Sequence, residues 1–438
     1  MDVIIKILQF FLCLTLLVGI HEFGHFIAAR IFKIRVEKFY IFFDIGYSLF
    51  HFRHKDTEFG VGWLPLGGYC KIAGMVDESL DKEQLSHAPK DYEFRSKPAW
   101  QRFIVLAGGV TMNVIAAYCI YTGIAYGYGS SYIDNTKNVY GVECTPTARA
   151  LGFMDGDRIL SLDGKQVTRL EDVQMSIILS ERDVNIDVQR AEEQLTIVIS
   201  KDNIKAIRTS EQIDNLFSYR QPFVVNEVQS SEAKKAGLQS GDVIVAVEGV
   251  REFNSMRYRE LLRPYASERV CLTVVRDGVE REIFTTLSSD AMIGVSMKFM
   301  LPLQQKQYTF VESIAVGFKR TNEVIADYWK QLKLLVKPQN GLYKQLGGFI
   351  SIGNIFPSSW DWLSFWQISA FISIVLAIMN VIPIPGLDGG HIMFTLWEMI
   401  TGRKVSDRVL LVAQYIGLIL ILMLFIFANG NDVHRLLK

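Results

Sequence analysis

Lys6-Ile-Leu-Gln-Phe-Phe-Leu-Cys-Leu-Thr-Leu-Leu-Val-Gly-Ile-His21-Glu22-Phe-Gly-His25-Phe-Ile-Ala-Ala-Arg30 is the stretch from which the rest of the chain can be read. Fourteen uncharged residues, Ile7 to Ile20, precede a His-Glu-x-x-His sequence. The run from Lys6 to Arg30 is long enough to cross the roughly 30 Å of a bilayer's hydrocarbon. Two histidines four apart share one helix face and can ligate one metal ion, and a glutamate beside them is the usual general base of a hydrolytic site. A carboxylate inside a lipid-spanning helix is costly and is a functional candidate by default. A secretory signal peptide is the competing reading. The basic start is weak, however, and no small-residue cleavage site precedes His21, so the segment is expected to be retained.

Working outward, the 438-residue chain is long enough for two or three domains, and half of its residues are apolar. Lys+Arg and Asp+Glu both number 46, so no basic excess points to nucleic acid as a partner. Cys13, Cys70, Cys119, Cys144 and Cys271 lack C-x-x-C spacing, which argues against a thiolate metal site or a disulfide framework. Three further runs reach spanning length: 103–133, 362–387 and 409–430. Basic residues concentrate between the first two spans (Arg30, Lys33, Arg35, Lys38 and others). They recur between the last two as Arg403, Lys404 and Arg408. By the positive-inside rule both loops face the cytoplasm, leaving both termini and the long middle segment outside.

That middle segment repeats itself at an offset of about 85 residues. Ala150-Leu-Gly152-Phe-Met-Asp155-Gly156-Asp157-Arg-Ile159 recurs as Ala236-Gly237-Leu-Gln-Ser-Gly241-Asp242-Val-Ile244, and each copy continues into a β-rich run. The motif resembles that of PDZ domains of the bacterial protease type, which take an extended peptide along a sheet edge. The resemblance implies peptide carboxyl termini as candidate ligands. Two compact β domains without a ligand, or a filter that excludes bulky substrates, fit the residues equally.

A hydrolytic zinc site takes three protein ligands and keeps one position open. The third span ends Asn380-Val-Ile-Pro383-Ile-Pro385-Gly386-Leu387-Asp388-Gly389-Gly390-His391, where two prolines must break the helix. Irregular backbone at membrane depth is tolerated only where protein buries it or it lines a watery cavity. Asp388 is therefore placed to complete the set, with a helix N-cap as its bland alternative and His391 as a rival ligand. At 1.5 Å per residue His21 lies about 20 Å into the first span, near the cytoplasmic side, which is also where the third span ends. His51, His54, His87 and His434 read as surface residues.

Taken together, these residues resemble the site-2 protease family of intramembrane zinc metalloproteases, in its regulator-of-sigma-E-protease branch with tandem PDZ domains. The resemblance covers essentially the whole chain. It implies a multi-domain membrane protein, with an α-helical transmembrane core of four spans, a membrane-associated β-loop and two α+β PDZ domains. Expected boundaries are 1–127 for the first two spans with the β-loop at about 58–75, 128–218 and 219–303 for the PDZ domains, 304–360 for an amphipathic helix and linker, and 361–438 for the last two spans. By the same resemblance His21, His25 and Asp388 hold one Zn2+ per chain and Glu22 is catalytic. Asn380, Pro383 and Pro385 match the family's N-x-x-P-x-P-x-L-D-G run, with asparagine contacting substrate backbone. The stretch from Gly60 through Pro65 to Gly67, Gly68 and Tyr69 matches its β-loop, which would pair with an unwound substrate strand; an ordinary cytoplasmic hairpin is the alternative. The family often has Gly-Pro-x-x-Asn in span two, where this chain has Gly109-Val110 and keeps Asn113. It often has Gly-Gly-Pro-Ile before span three, where this chain has Gly347-Gly348-Phe349-Ile350. Both departures are expected to affect helix packing rather than chemistry. The run 311–335 reads as an amphipathic helix at the outer membrane surface.

The implied activity is zinc-assisted hydrolysis of the transmembrane helix of a single-span substrate, such as an anti-sigma factor already cut outside or a signal-peptide remnant. The setting is a bilayer, the bacterial inner membrane, with PDZ domains extracytoplasmic. Two competitors are a membrane-anchored zinc peptidase of unfolded or soluble protein and a non-catalytic membrane PDZ scaffold. An embedded motif argues against the first, and a retained Glu22 against the second.

Overall fold

A computed structural model describes residues 2–64, 67–75, 89–209, 215–335 and 347–437. Pro65 and His87 lie outside them. The chain forms two compact units, Met1–Gly129 with Gln307–Lys438, and Ser130–Lys306.

The first unit opens with α1 (Asp2–Ile31), free of proline, which ends where Lys33 turns back at φ 56°. A four-stranded sheet follows: β1 (Val36–Ile41), β2 (Phe43–His54), β3 (Thr57–Leu64) and β4 (Tyr69–Ile72), in the order β2-β3-β1-β4. The expected β-loop is thus part of a larger sheet that begins at Val36. β1 and β3 run parallel while the other pairs are antiparallel. Then comes α2 (Ala99–Tyr128), entered after Pro98 and closed by Gly129 at φ 67°. The uncharged run expected to span as far as Ile133 therefore stops early, and its last four residues form a strand.

In the second unit, β5 (Ser130–Ile133) leads to β6 (Val142–Cys144), α3 (Pro146–Ala150), β7 (Arg158–Leu162), β8 (Lys165–Gln166), α4 (Leu170–Leu179), β9 (Val184–Arg190), β10 (Glu193–Ile199), α5 (Lys201–Thr209) and β11 (Phe217–Tyr219). The second copy runs β12 (Phe223–Val228), α6 (Ser231–Lys235), β13 (Val243–Val247), β14 (Val250–Arg251), α7 (Tyr258–Leu262), β15 (Arg269–Arg276), β16 (Val279–Thr286) and β17 (Val295–Met297). β18 (Leu303–Lys306) then returns to pair with β5. Each copy has its own apolar core, one around Ile159, Ile186 and Val188, the other around Ile244, Leu272 and Val274. The duplication extends to single bonds. Arg190 grips Asp157 with two guanidinium nitrogens and donates to the Gly152 carbonyl; Arg276 does the same to Asp242 and Gly237. β6 pairs with β11 as β12 pairs with β17.

The chain re-enters the first unit as α8 (Phe310–Leu335), α9 (Phe349–Ile355), α10 (Trp362–Val381), α11 (Asp388–Thr401) and α12 (Asp407–Leu437). Among the described residues four helices, α1, α2, α10 and α12, are long and apolar enough to cross a membrane. Asp361 caps α10 by accepting from the Leu363 and Ser364 N–H groups, and Pro383 ends it. α2 is central and packs against α1, α8, α10 and α11. α8 does not lie apart as a surface helix. Tyr126 meets Phe310, the Thr122 backbone fills the space over Gly317, and Tyr118 stacks on Phe318 and bonds Asn322. Its apolar stripe thus runs lengthwise and antiparallel along α2, because Gly317 allows the two backbones to touch. α12 is seated at two places, with Gly417 on the Pro385 carbonyl and Asp432 accepting from the Gly348 and Ser351 N–H groups at the start of α9.

Candidate metal centre

The site is assembled where α1 crosses α2. Gly24 and Gly108 face each other so closely that a Cβ on either would strike the other's backbone. This contact brings His21 and His25, one turn apart on α1, over Gly109. A Cβ on Gly109 would lie 2.5 Å from His25 Nε2 and 2.7 Å from His21 Nε2, so the space between the ring nitrogens exists only because residue 109 has no side chain.

Asp388 arrives from the other side. α10 stops at Val381, the Pro383-Ile-Pro385 turn reverses the chain, and α11 begins at Asp388. Leu387, not Asp388, is the N-cap residue, and no side chain caps the helix, which removes the capping alternative. Gly389 and Gly390 pack directly on the Ile382 carbonyl and on Pro385, fixing how α11 starts. Arg102 of α2 pairs with Glu398 further along α11, both largely buried.

The three donor atoms form a small triangle. His21 Nε2 and His25 Nε2 are 3.2 Å apart, and Asp388 Oδ2 lies 3.0 Å from the first and 3.2 Å from the second. Ligands about 2.0–2.1 Å from a tetrahedral zinc stand about 3.3 Å from one another, so these separations match three corners of such a shell. Asp388 Oδ2 is buried with no well-formed hydrogen bond despite these short distances, as expected of an oxygen suited to a cation rather than to a proton donor. The far nitrogen of His25, Nδ1, donates to the Val105 carbonyl at 2.8 Å, leaving Nε2 with its lone pair. The donor set and its spacing therefore fit zinc. His391 is not part of this trio among the described residues.

Around the trio stand Glu22, Asn380 and Gly68. The Glu22 carboxylate accepts from the Cys70 backbone N–H, and a Cβ on Gly68 would touch Glu22 Cγ at 3.5 Å, so the start of β4 lies against the acid. Asn380 Nδ2 is 3.5 Å from His21 Nε2. Among the described residues β4 is the last strand of its sheet, with β1 on one side and no strand on the other. The remaining expected substrate residues contact other groups. Tyr69 donates to Asp44 at 2.7 Å and stacks between Tyr40 and Phe43. Burial and Asp44 together push the Tyr69 hydroxyl pKa far up. Pro383 is exposed, Pro385 backs onto α11 and α12, and Gly67 faces the Phe43 ring.

Two residues to which the sequence reading gave no role also stand at the site. Gly109 forms the floor between the imidazoles, and Asn113, fully buried, places its amide nitrogen 3.3 Å from His21 Nδ1. The signal was present in the sequence: an asparagine in a charge-free spanning helix is anomalous for the same reason as Glu22.

Comparison with known proteins decides the family. The model of Peptidase family M50 matches residues 9–424. The chain belongs to Peptidase family M50. It is a metalloprotease. An M50 relative in Haemophilus influenzae, named regulator of sigma E protease, is 28% identical and covered over 98% of each chain. The Salmonella typhimurium regulator of sigma-E protease RseP is 27% identical over the full length of both. A Neisseria meningitidis protein named as a candidate zinc metalloprotease is 28% identical, with 98% of this chain and 99% of its own covered.

Proposed function

We propose that this M50 protein is an intramembrane protease that holds one zinc ion on His21, His25 and Asp388 and hydrolyses peptide bonds within the transmembrane helix of single-span membrane proteins. The observation that carries the reading is the triangle of donor atoms, formed by a spanning helix and the broken end of another.

Bound zinc supplies Lewis acidity, polarising the scissile carbonyl and acidifying water. The remaining work falls to the chain's own side chains. Glu22 takes the proton of the attacking water and returns it to the leaving amine. β4, the last strand in its sheet among the described residues, is placed to take a substrate strand alongside it. It needs that strand unwound, because a helix hides its carbonyls in i to i−4 bonds. The Asn380 amide, beside His21, is placed to hold substrate backbone. Gly68 lets that strand approach Glu22. Pro383 and Pro385 act by breaking α10.

The two copies in the second unit are read as PDZ domains, 128–218 and 219–303, on the outer side of a bacterial inner membrane, with both termini outside. Candidate substrates are an anti-sigma factor already trimmed outside and leftover signal peptides. The sigma-E names of the relatives support the first.

The test uses purified full-length protein. Glu22→Gln should retain zinc and lose about 10²–10⁴-fold in cleavage of a model spanning substrate. Asp388→Ala should lower zinc content by elemental analysis. Undiminished turnover in the first variant or full metal in the second would remove the respective role. Comparing full-length with externally truncated substrates tests the filtering role of the outer domains.

A further inference from the structure

We infer that Asn113 is a positioning residue: its side-chain carbonyl accepts the Nδ1–H of His21 and so reserves the Nε2 lone pair for the metal. The inference rests on the zinc reading above and deepens it.

Neutral imidazole carries its proton on one nitrogen only. His21 Nε2 is the atom that faces His25 Nε2 and Asp388 Oδ2, so it must be the unprotonated one if it is to ligate. The proton then belongs on Nδ1, and Nδ1 needs an acceptor. The only side chain recorded against Nδ1 among the described residues is the Asn113 amide, 3.3 Å away through Nδ2. With nitrogen presented, the amide would donate to Nδ1 and force the proton onto Nε2, the tautomer that cannot bind. The same amide's oxygen is buried and without a partner. Amide nitrogen and oxygen exchange places by a half-turn. That turn gives the orphaned oxygen the Nδ1–H donor it lacks. It moves the NH2 to the place the oxygen held. Asn380, 3.5 Å from Nε2 through its own NH2, agrees with an unprotonated Nε2. His25 already follows this pattern, with the Val105 carbonyl in the acceptor role. Each histidine would thus be set by an acceptor on α2, one from the main chain and one from a side chain.

The experiment measures zinc affinity of detergent-purified full-length protein by competition with a chelator. Asn113→Leu, similar in size but without an acceptor, should weaken zinc binding about 10–100-fold. Asn113→Asp, which at neutral pH can only accept, should restore or exceed wild-type affinity. Wild-type affinity in Asn113→Leu, or equal loss in Asp and Leu variants, overturns the inference; the second result would mean that the amide serves as donor or packing group. His21→Ala is run alongside. If it loses zinc while Asn113→Leu does not, only the positioning role fails. If it keeps wild-type zinc, the metal assignment of His21 fails and takes this inference with it.

Discussion

A single hydrogen atom at residue 109 separates an open space between two imidazoles from a filled one. Gly109→Ala would place a methyl group within 2.7 Å of both ring nitrogens. Rigid backbone on the opposite helix leaves the imidazoles little room to retreat. The expected result is loss of zinc by at least tenfold in affinity with the membrane fold retained, read by elemental analysis beside a thermal melt. Normal metal content would show that the rings are not held where they stand. His21, Glu22, His25 and Asp388 were legible in the sequence because each is an ionisable group in or just beyond apolar surroundings. Gly109 was not legible as a site residue, since a missing side chain acquires meaning only once the facing helix is known. At Tyr69 the motif position suggested substrate contact but gave no sign of the bond its hydroxyl makes to Asp44.

Among the elements, α11 carries Asp388 at one end and the Arg102–Glu398 pair further along, so the pair anchors the helix that delivers the third donor. Removing one partner of a buried pair costs about 3 kcal/mol, largely because the other charge is left unpaired. Arg102→Ala should therefore lower both thermal stability and zinc occupancy, and the Arg102→Glu, Glu398→Arg exchange should recover part of each. Recovery of stability without metal would detach the pair from the site. In the second repeat, burial alone would raise the Asp242 carboxyl pKa, but hydrogen bonds from Arg276 and the Gln239 N–H hold it below the usual carboxylate range. A folded value below the unfolded value of about 3.9 adds stability that is complete above that pH and is lost as pH falls from there through the lower folded value. Asp242→Asn should accordingly melt lower than wild type at pH 7 while losing less on acidification; parallel curves would contradict the sign. Helix and strand content in these regions followed from apolar runs and glycine turns. The lengthwise seat of α8 did not, because an amphipathic stripe does not say whether lipid surface or another helix receives it.

At the scale of the molecule, the middle unit has both ends tied together and two apolar cores of its own. A fragment comprising 130–306 should unfold cooperatively in urea without detergent, as circular dichroism would show; a gradual, non-cooperative loss of signal would mean that it depends on the helices. The order of parts was readable from the sequence because each part has its own periodicity, apolar runs of span length and a repeat of about 85 residues. The sheet preceding α2 was only partly readable. Its strands lie between functional helices, and the mixed parallel and antiparallel pairing is decided by contacts distant in the chain.

The antiparallel pairing of Ser130 with Lys306 leaves the points of departure and return side by side. An excision that splices Gly129 to Gln307 through a short glycine bridge would span almost no gap. A miniature enzyme lacking its middle unit is thus within reach of one cloning step, and setting its cleavage of test substrates beside that of the full chain would report what the unit contributes.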